Sequence, residues 1–518
     1  MARMKAPKGS CTVRMYRHGL GDCFLLAFGA HDGTQKYMLI DCGVLSGTKN
    51  ASATMKNVAK DILQATNKSI DVLVITHEHW DHISGFSQAQ QEFAQLKVGE
   101  VWFAWTENPR NPLARELRER QRAALNGLQV AMTHAVNAPK QFTDRINAIG
   151  AFFGDNFGFN GRATTENTLE WIKKQWTQHR YCVPGGVPIT LNGLEDVRFF
   201  VMGPPEDARL IRKSRPSSKP GQVYLDDAKS GELGLYLSAL GSAPAIRQPE
   251  QDERRFTPFN EAYHCDYGHP DAEGISQRYD ALENDWRRID SDWTGAASEL
   301  ALRLDEHTNN TSLVLAIELA RDDKVLLFTG DAQVGNWLSW ENVEWSAERN
   351  DSPRERDGTE HLKAKDLLER TVLYKVGHHG SHNATLQEQG LERMTNQELV
   401  ALIPVDPLVA EKRRWRMPHK PLFDRLYEKT LGRLVISKNG LPDNVTDEAI
   451  KTFLDQCKQH TLYCDYTINT WLSEQTRTAT KKKSTAKRRA ARKKNTASKK
   501  TATRKKHSTI KKKSRTKS

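Results

Sequence analysis

One stretch of fifteen residues limits what this 518-residue chain can fold into. It reads Asp71-Val72-Leu73-Val74-Ile75-Thr76-His77-Glu78-His79-Trp80-Asp81-His82-Ile83-Ser84-Gly85. Residues 72–75 form a short, β-branched apolar run, which predicts a buried strand. His77, His79, Asp81 and His82 follow within six positions. A tight loop leaving the strand would aim His77 and His79 at one point and Asp81 and His82 at a second point close by. Imidazole nitrogen and carboxylate oxygen suit Zn²⁺, Mn²⁺ or Fe, and two neighbouring points of mixed ligation suggest a two-metal site. The alternative is a solvated loop rich in histidine. The whole chain holds only 17 His, so three within six positions after a strand argue against chance.

Charge and cysteine usage set the wider class. The formal net charge is +13, but residues 481–518 hold 19 Lys and Arg and no acid, and subtracting them leaves −6 for the rest. The folded body is thus expected to be mildly acidic and the basicity to belong to a tail. Seven scattered cysteines without a Cys-x-x-Cys pair make a disulfide framework or Cys-zinc module an unsuitable reading, and a reducing cytoplasm is expected, with nucleoid association compatible. No apolar run approaches the ~20 residues of a membrane span, and the basic N-terminus lacks the apolar segment of a secretion signal.

Ahead of the histidine run, residues 11–43 read as a β-meander. Cys11–Tyr16 and Cys23–Phe28 flank the turn Gly19-Leu20-Gly21-Asp22. Tyr37–Ile40 then ends in Asp41-Cys42-Gly43. By themselves Asp22 and Asp41 fit simple turn formers. Residues 52–68, 112–135 and 165–178 have helical spacing, and 186–191 and 197–202 read as strands. From about 205 to 305 the chain turns polar, an insertion expected to return near the site as a lid or specificity element.

Further candidate ligands stand at later strand ends. Leu313–Glu318 and Lys324–Phe328 read as two strands, the second running into Thr329-Gly330-Asp331. Asp331 fits either a carboxylate bridging two cations roughly 3.5–4 Å apart or a helix N-cap. Val372–Val376 runs into Gly377-His378-His379-Gly380-Ser381, where adjacent histidines are costly to bury unless they bind something. Met417-Pro418-His419-Lys420-Pro421 precedes an amphipathic stretch at 422–431 and a strand-like 434–436. His419 fits a ligand or a surface turn.

Together the Gly-Leu-Gly-Asp, Leu-Ile-Asp-Cys-Gly, His-x-His-x-Asp-His, Asn309-Asn310-Thr311-Ser312, Thr-Gly-Asp and Gly-His-His-Gly-Ser segments resemble metallo-β-lactamase fold hydrolases. The resemblance is nearest to the soluble hydrolase domain of ComEC-type competence proteins. It implies a four-layer αβ/βα sandwich over 11–470, interrupted by the 205–305 insertion, with two divalent ions, Zn²⁺ foremost. By that resemblance His77, His79 and His378 (or His379) hold the first ion, and Asp81, His82 and His419 the second, with Asp331 bridging. Asp41 and Asn310 would orient ligands from behind, and His379 would serve as proton donor if His378 is the ligand. Two departures stand out: Asn309-Asn310 occupy the place where many relatives carry a third histidine, and the last turn reads Pro-His-Lys-Pro.

Residues 477–518 repeat Lys/Arg clusters, among them Lys487-Arg488-Arg489 and Arg492-Lys493-Lys494, with Ile510 as the one apolar residue larger than alanine. Such a composition cannot bury a core and is expected to be disordered. It suits either solubility or nucleic-acid binding without sequence preference, by counterion release. The leading expectation is a two-metal phosphodiesterase or nuclease using a metal-bridging hydroxide, with the tail holding nucleic acid. A metallohydrolase of small phosphoesters, lactones or thioesters is the second reading, and a nucleic-acid-binding protein with a relic site the third.

Overall fold

A computed structural model describes residues 3–134, 150–154, 164–214, 216, 222–223, 278, 302–346, 361–413, 415–441 and 448–470. The basic tail and most of the 205–305 insertion lie outside these residues.

Two mixed sheets face one another. The first has the order β16-β17-β1-β2-β3-β4-β5-β6. These strands are β1 (Cys11–Tyr16), β2 (Cys23–Gly29), β3 (Gln35–Cys42), β4 (Ser69–Ile75), β5 (Lys97–Ala104), β6 (His179–Cys182), β16 (Cys457–Gln459) and β17 (Tyr463–Thr467). The second has the order β15-β14-β13-β10-β9-β8-β7. It consists of β7 (Ile189–Leu191), β8 (Leu194–Gly203), β9 (Val314–Leu319), β10 (Lys324–Phe328), β13 (Thr371–Lys375), β14 (Val400–Ile403) and β15 (Leu434–Ile436). A separate ribbon pairs β11 (Glu344–Ser346) with β12 (His361–Lys363). Each large sheet is antiparallel in one half and parallel in the other: β3, β4, β5 and β6 run parallel, as do β10, β13, β14 and β15.

The uninterrupted apolar runs in the sequence follow from burial on both faces of these sheets. In β2, Phe24, Leu26 and Phe28 enter the layer between the sheets, while Cys23, Leu25 and Ala27 face the outer helices. In β4, Val72 and Val74 point between the sheets, and Leu73 and Ile75 pack with helix α1 (Ala51–Ala65) and helix α2 (Trp80–Gln88). β10 repeats the pattern, with Leu326 and Phe328 inward and Val325 and Leu327 outward. Edge-to-face rings join the two sheets: Phe24 meets Phe328 at 5.6 Å, and Phe199 of β8 meets Phe28 at 6.0 Å and Trp102 at 5.3 Å. The described core is therefore layered helix, sheet, sheet, helix. No helix among the described residues is long and apolar enough to cross a membrane.

Residues near the end of the described chain close the first sheet through a buried charge network. Arg14 of β1 donates to both Asp465 carboxylate oxygens, at 2.7 and 2.9 Å, and to Asp61 of α1 at 2.6 Å. Its guanidinium also lies 3.4 Å over the Tyr463 ring. Arg14→Met would leave two buried carboxylates without their cation. It is expected to destabilise the fold by about 3–5 kcal/mol in urea unfolding, the cost of breaking rather than replacing a buried pair. An unchanged unfolding midpoint would show that this network does not hold β17 to β1.

The helix α2 corrects one expectation. Asp81 and His82 do not sit in a free loop but on the first turn of α2, whose N-cap is His79. The backbones of this turn and of the Gly43 turn approach so closely that a Cβ at Gly43 would lie 2.4 Å from the Asp81 carbonyl carbon and 2.5 Å from the His82 nitrogen. Only glycine fits there, and the contact fixes the height at which Asp81 and His82 leave the helix.

Candidate metal centre

The parallel strands of both sheets end on the same edge, and the chemistry is gathered there. β3 delivers Asp41, β4 is followed by His77 and His79, β10 by Asp331, and β13 ends in Lys375 ahead of His378 and His379. Asp22, just before β2, sits beside them. The two sheets are tied at this edge by Leu313 N–H donating to the Thr76 carbonyl at 2.8 Å, and within the first the Asp22 N–H donates to the Asp81 carbonyl at 2.9 Å.

Ligand atoms of Asp22, His82, Asp331 and His379 all lie within 4.8 Å of one another, and all four residues are buried. His82 Nε2 faces Asp331 Oδ2 at 3.2 Å, and His379 Nε2 faces Asp81 Oδ2 at 2.8 Å and Asp331 Oδ2 at 3.7 Å. The other imidazole edges are held from behind. Asp41 accepts from His82 Nδ1 at 2.7 Å and is itself fixed by the Thr76 N–H at 2.8 Å and hydroxyl at 2.6 Å. The Pro404 carbonyl accepts from His379 Nδ1 at 2.8 Å. Such partners select the tautomer that leaves Nε2 free to ligate. Beside this group the His77 ring stands 4.2 Å from that of His82 and 4.7 Å from that of His79.

Half of the sixteen buried side-chain atoms left without a hydrogen-bond partner among the described residues belong to this edge: His77 Nε2, both nitrogens of His79, Asp81 Oδ1, His82 Nε2, Asp331 Oδ2, Asp22 Oδ1 and Asp305 Oδ1. Orphaned polar atoms of this kind are costly unless something binds them. Their number, and their mixture of imidazole nitrogen and carboxylate oxygen, fit divalent cations. Five buried carboxylates (Asp22, Asp41, Asp81, Asp305, Asp331) gather here around Lys375, His82 and His379, a concentration of acid that a bound cation would relieve.

Burial drives the His77 imidazole well down, His79 to about 3 and His378 to about 4, so these rings are neutral and keep a lone pair for a cation. Burial acts on His82 in the same sense, but the carboxylates of Asp331, Asp22, Asp41 and Asp81 outweigh it and hold that ring well above its ordinary value. Burial would raise Asp331, yet His82, His379 and Lys375 keep it well below the carboxylate range and hence anionic.

Backbone strain is concentrated in the same place. Asp41, His378 and His379 all have left-handed backbones, with φ of 53°, 44° and 54°. For non-glycine residues this costs of order 1–2 kcal/mol each and persists where the surroundings enforce it.

The structure distributes the expected residues unevenly. His77, His79, Asp81, His82, Asp331 and His379 are brought together. His379, expected as proton donor, stands in the four-residue group, whereas His378, expected as ligand, stands outside it. The Nδ1 of His378 is engaged by Ser381 Oγ at 3.0 Å and by Gln333 Nε2 at 3.3 Å. The reason is the left-handed turn, which splays the two rings to centroids 6.0 Å apart. His419 also stands outside the group, as N-cap of the helix Lys420–Lys429, with its ring 6.0 Å from that of His382. Asn310 touches no candidate imidazole. It donates to the Ile211 and Lys213 carbonyls and accepts from the Gln333 and Asn336 N–H groups, bracing the start of the insertion. Lys487, Arg488, Arg489, Arg492, Lys493 and Lys494 lie outside the described residues.

Three members of the site carry little signal in the sequence: Asp22, which reads as a turn former, Lys375 and Asp305. Lys375 Nζ bonds Asp22, donates to the Gly330 carbonyl at 2.7 Å and lies 3.4 Å from Asp331 Oδ1. A lysine closing an apolar strand three positions ahead of two adjacent histidines is the one mark that points to it.

An aromatic wall stands over His79. Its ring lies 5.5 Å from Phe152 and 5.0 Å from Phe153, and Phe152 stacks on Trp415 at 5.2 Å. Arg413 lies over the Trp415 ring at 5.3 Å and interacts with the charge of Asp81.

Comparison with curated proteins and with solved structures gave no match to the chain. Residues 17–141, which carry β2 to β5, the histidine run and α2, match the family model of the metallo-beta-lactamase superfamily.

Proposed function

We propose that the chain is a two-metal hydrolase of phosphodiesters, with nucleic acid as the polymer it works on. The observation that carries the hydrolase reading is the convergence of unpartnered imidazole and carboxylate atoms from both sheets on one buried point. His77 and His79 would hold one ion and His82, His379 and Asp22 the other, with Asp81 and Asp331 between them. Divalent ions held in this way supply Lewis acidity and a nucleophile at neutral pH. The protein's own residues do the rest. Asp41 and the Pro404 carbonyl orient the rings of His82 and His379. His378, its ring oriented by Ser381 and Gln333 at Nδ1, is the imidazole available to exchange a proton with a leaving oxygen.

The phosphodiester assignment rests on the wall beside the site. Arg413, anchored through the Ser46 carbonyl, offers a guanidinium for phosphate, and the half-buried Trp415 ring offers an aromatic surface for a base. The basic composition of 477–518 suits retention of a polyanion. The test is hydrolysis of single- and double-stranded DNA and RNA, and of a small chromogenic diester, by protein reconstituted with Mn²⁺ or Zn²⁺. Metal-dependent cleavage of the polymers supports the reading. Turnover of a small ester alone would favour a small-substrate enzyme, a reading supported by the depth of the candidate ligands, of which His79 and Asp81 are fully buried.

A further inference from the structure

Asp305 lies on the helix 302–310, where the chain re-enters the described fold after the long insertion. The residue is 6% exposed, and its two carboxylate oxygens have different surroundings. Oδ2 accepts a hydrogen bond from Asn309 Nδ2 at 3.2 Å, one helical turn on. Oδ1 has no hydrogen-bond partner and stands 3.8 Å from His79 Nε2, itself unpartnered. The adjoining His77 Nε2 is unpartnered as well. A buried carboxylate oxygen facing a buried imidazole nitrogen, with neither atom satisfied, is the arrangement that a shared cation resolves.

The surroundings position this carboxylate firmly. Thr308 and Asn309 share its helix, Asn310 ties the end of that helix to the Ile211 and Lys213 carbonyls, and Ser214 bonds the adjacent Glu306. Both the departure and the return of the insertion are thereby pinned beside His79. The His77/His79 end of the site offers two imidazole rings, and Asp305 Oδ1 is the unpartnered oxygen that a neighbouring helix places on it.

We propose that Asp305 is a metal ligand that completes the His77/His79 end of the site, and that Asn309 is the residue that orients it. The proposal rests on the reading of the site as a metal centre, but not on the substrate assigned to it. The helix 302–310 then supplies a ligand oxygen, and the ion bound there fixes that helix to the histidine edge.

The experiment uses the full chain stripped of metal and titrated with Zn²⁺, and separately with Co²⁺, whose visible spectrum reports its ligand set. Metal per chain is measured by mass spectrometry in buffered free metal. Wild type is expected to take up two ions. Asp305→Asn is expected to weaken one of them by about 10–100-fold, since even outer residues of metal sites carry that much, and to change the Co²⁺ spectrum of that ion alone. Asp305→His should restore binding with a new spectrum, a rescue that a merely structural aspartate would not give. Melting of the metal-free proteins controls for folding. Two ions bound by Asp305→Asn with wild-type affinity and spectrum would overturn the proposal, as would loss of metal that Asp305→His does not restore. Wild type that binds no ion would overturn both this proposal and the hydrolase reading. Two bound ions without diester cleavage would remove the substrate assignment alone and leave Asp305 to be judged by binding.

Discussion

Asp331→Ala is expected to lower metal-dependent hydrolysis by about three decades or more while leaving the two sheets assembled. The carboxylate is fully buried, 3.2 Å from His82 Nε2, 3.7 Å from His379 Nε2 and 3.4 Å from Lys375 Nζ. It is the group that ties the imidazoles of the first sheet's edge to the histidine and lysine of the second. Metal ions contribute several kcal/mol of charge stabilisation to hydrolysis, and each ~1.36 kcal/mol is tenfold in rate, which sets that magnitude. The substitution also leaves Lys375 with Asp22 as its remaining carboxylate, so circular dichroism and metal content must be read beside the rate. Lost metal and lost rate with a native spectrum are expected. Full activity in Asp331→Ala would remove the two-metal mechanism.

The second large effect concerns the polymer. Deletion of 477–518 is expected to leave hydrolysis of a small chromogenic diester unchanged and to weaken DNA binding strongly at low salt. The tail from 481 on holds 19 basic residues. If about six to ten of them contact phosphates, affinity should fall by about 10³–10⁵ between roughly 50 and 200 mM salt, and that dependence should flatten once the tail is gone. The comparison requires affinity measured across a salt series for both proteins. Equal affinity and equal slope would sink the role given to the tail, while a drop in small-diester turnover would mean that the segment also acts at the site.

Much of the site is legible in the sequence because its parts are local. The apolar run 72–75 and the ligands at 77, 79, 81 and 82 adjoin one another. A strand buried on both faces needs such a run whatever its neighbours are, so its end, and the polar residues aimed beyond it, are marked in the chain. The same logic marks Asp331 and the histidine pair at 378 and 379. It does not place Asp81 and His82 on the first turn of a helix, because Ile83 and Phe86 become the inner face of that helix only once they pack with β4 and α1. Nor does it separate His378 from His379. The two differ by one position, and it is the left-handed turn that sends one ring to Asp81 and the other to Ser381.

Lys375 and Asp22 show what local pattern leaves illegible. Alternation along β13 sends Leu373 between the sheets, and Lys375 with it, into a layer that otherwise excludes charge. The position is tolerable only because Asp22 and Asp331 arrive there from other strands. Asp22 in turn occupies a turn that any β-meander can carry, and Asp305 belongs to a polar stretch that reads as the end of an insertion.

The sequence by itself determined the ligand chemistry, the strands that carry it and the basic character of the C-terminal segment, since these depend on residue type and short-range periodicity. Tertiary structure alone decided which ligand meets which. Asp41 and His82 are 41 positions apart and Asp81 and His379 are 298 apart, yet each pair lies within 2.8 Å. A metal centre requires its atoms within a few ångströms of one point, and only the packing of two sheets edge to edge and face to face brings such distant residues that close.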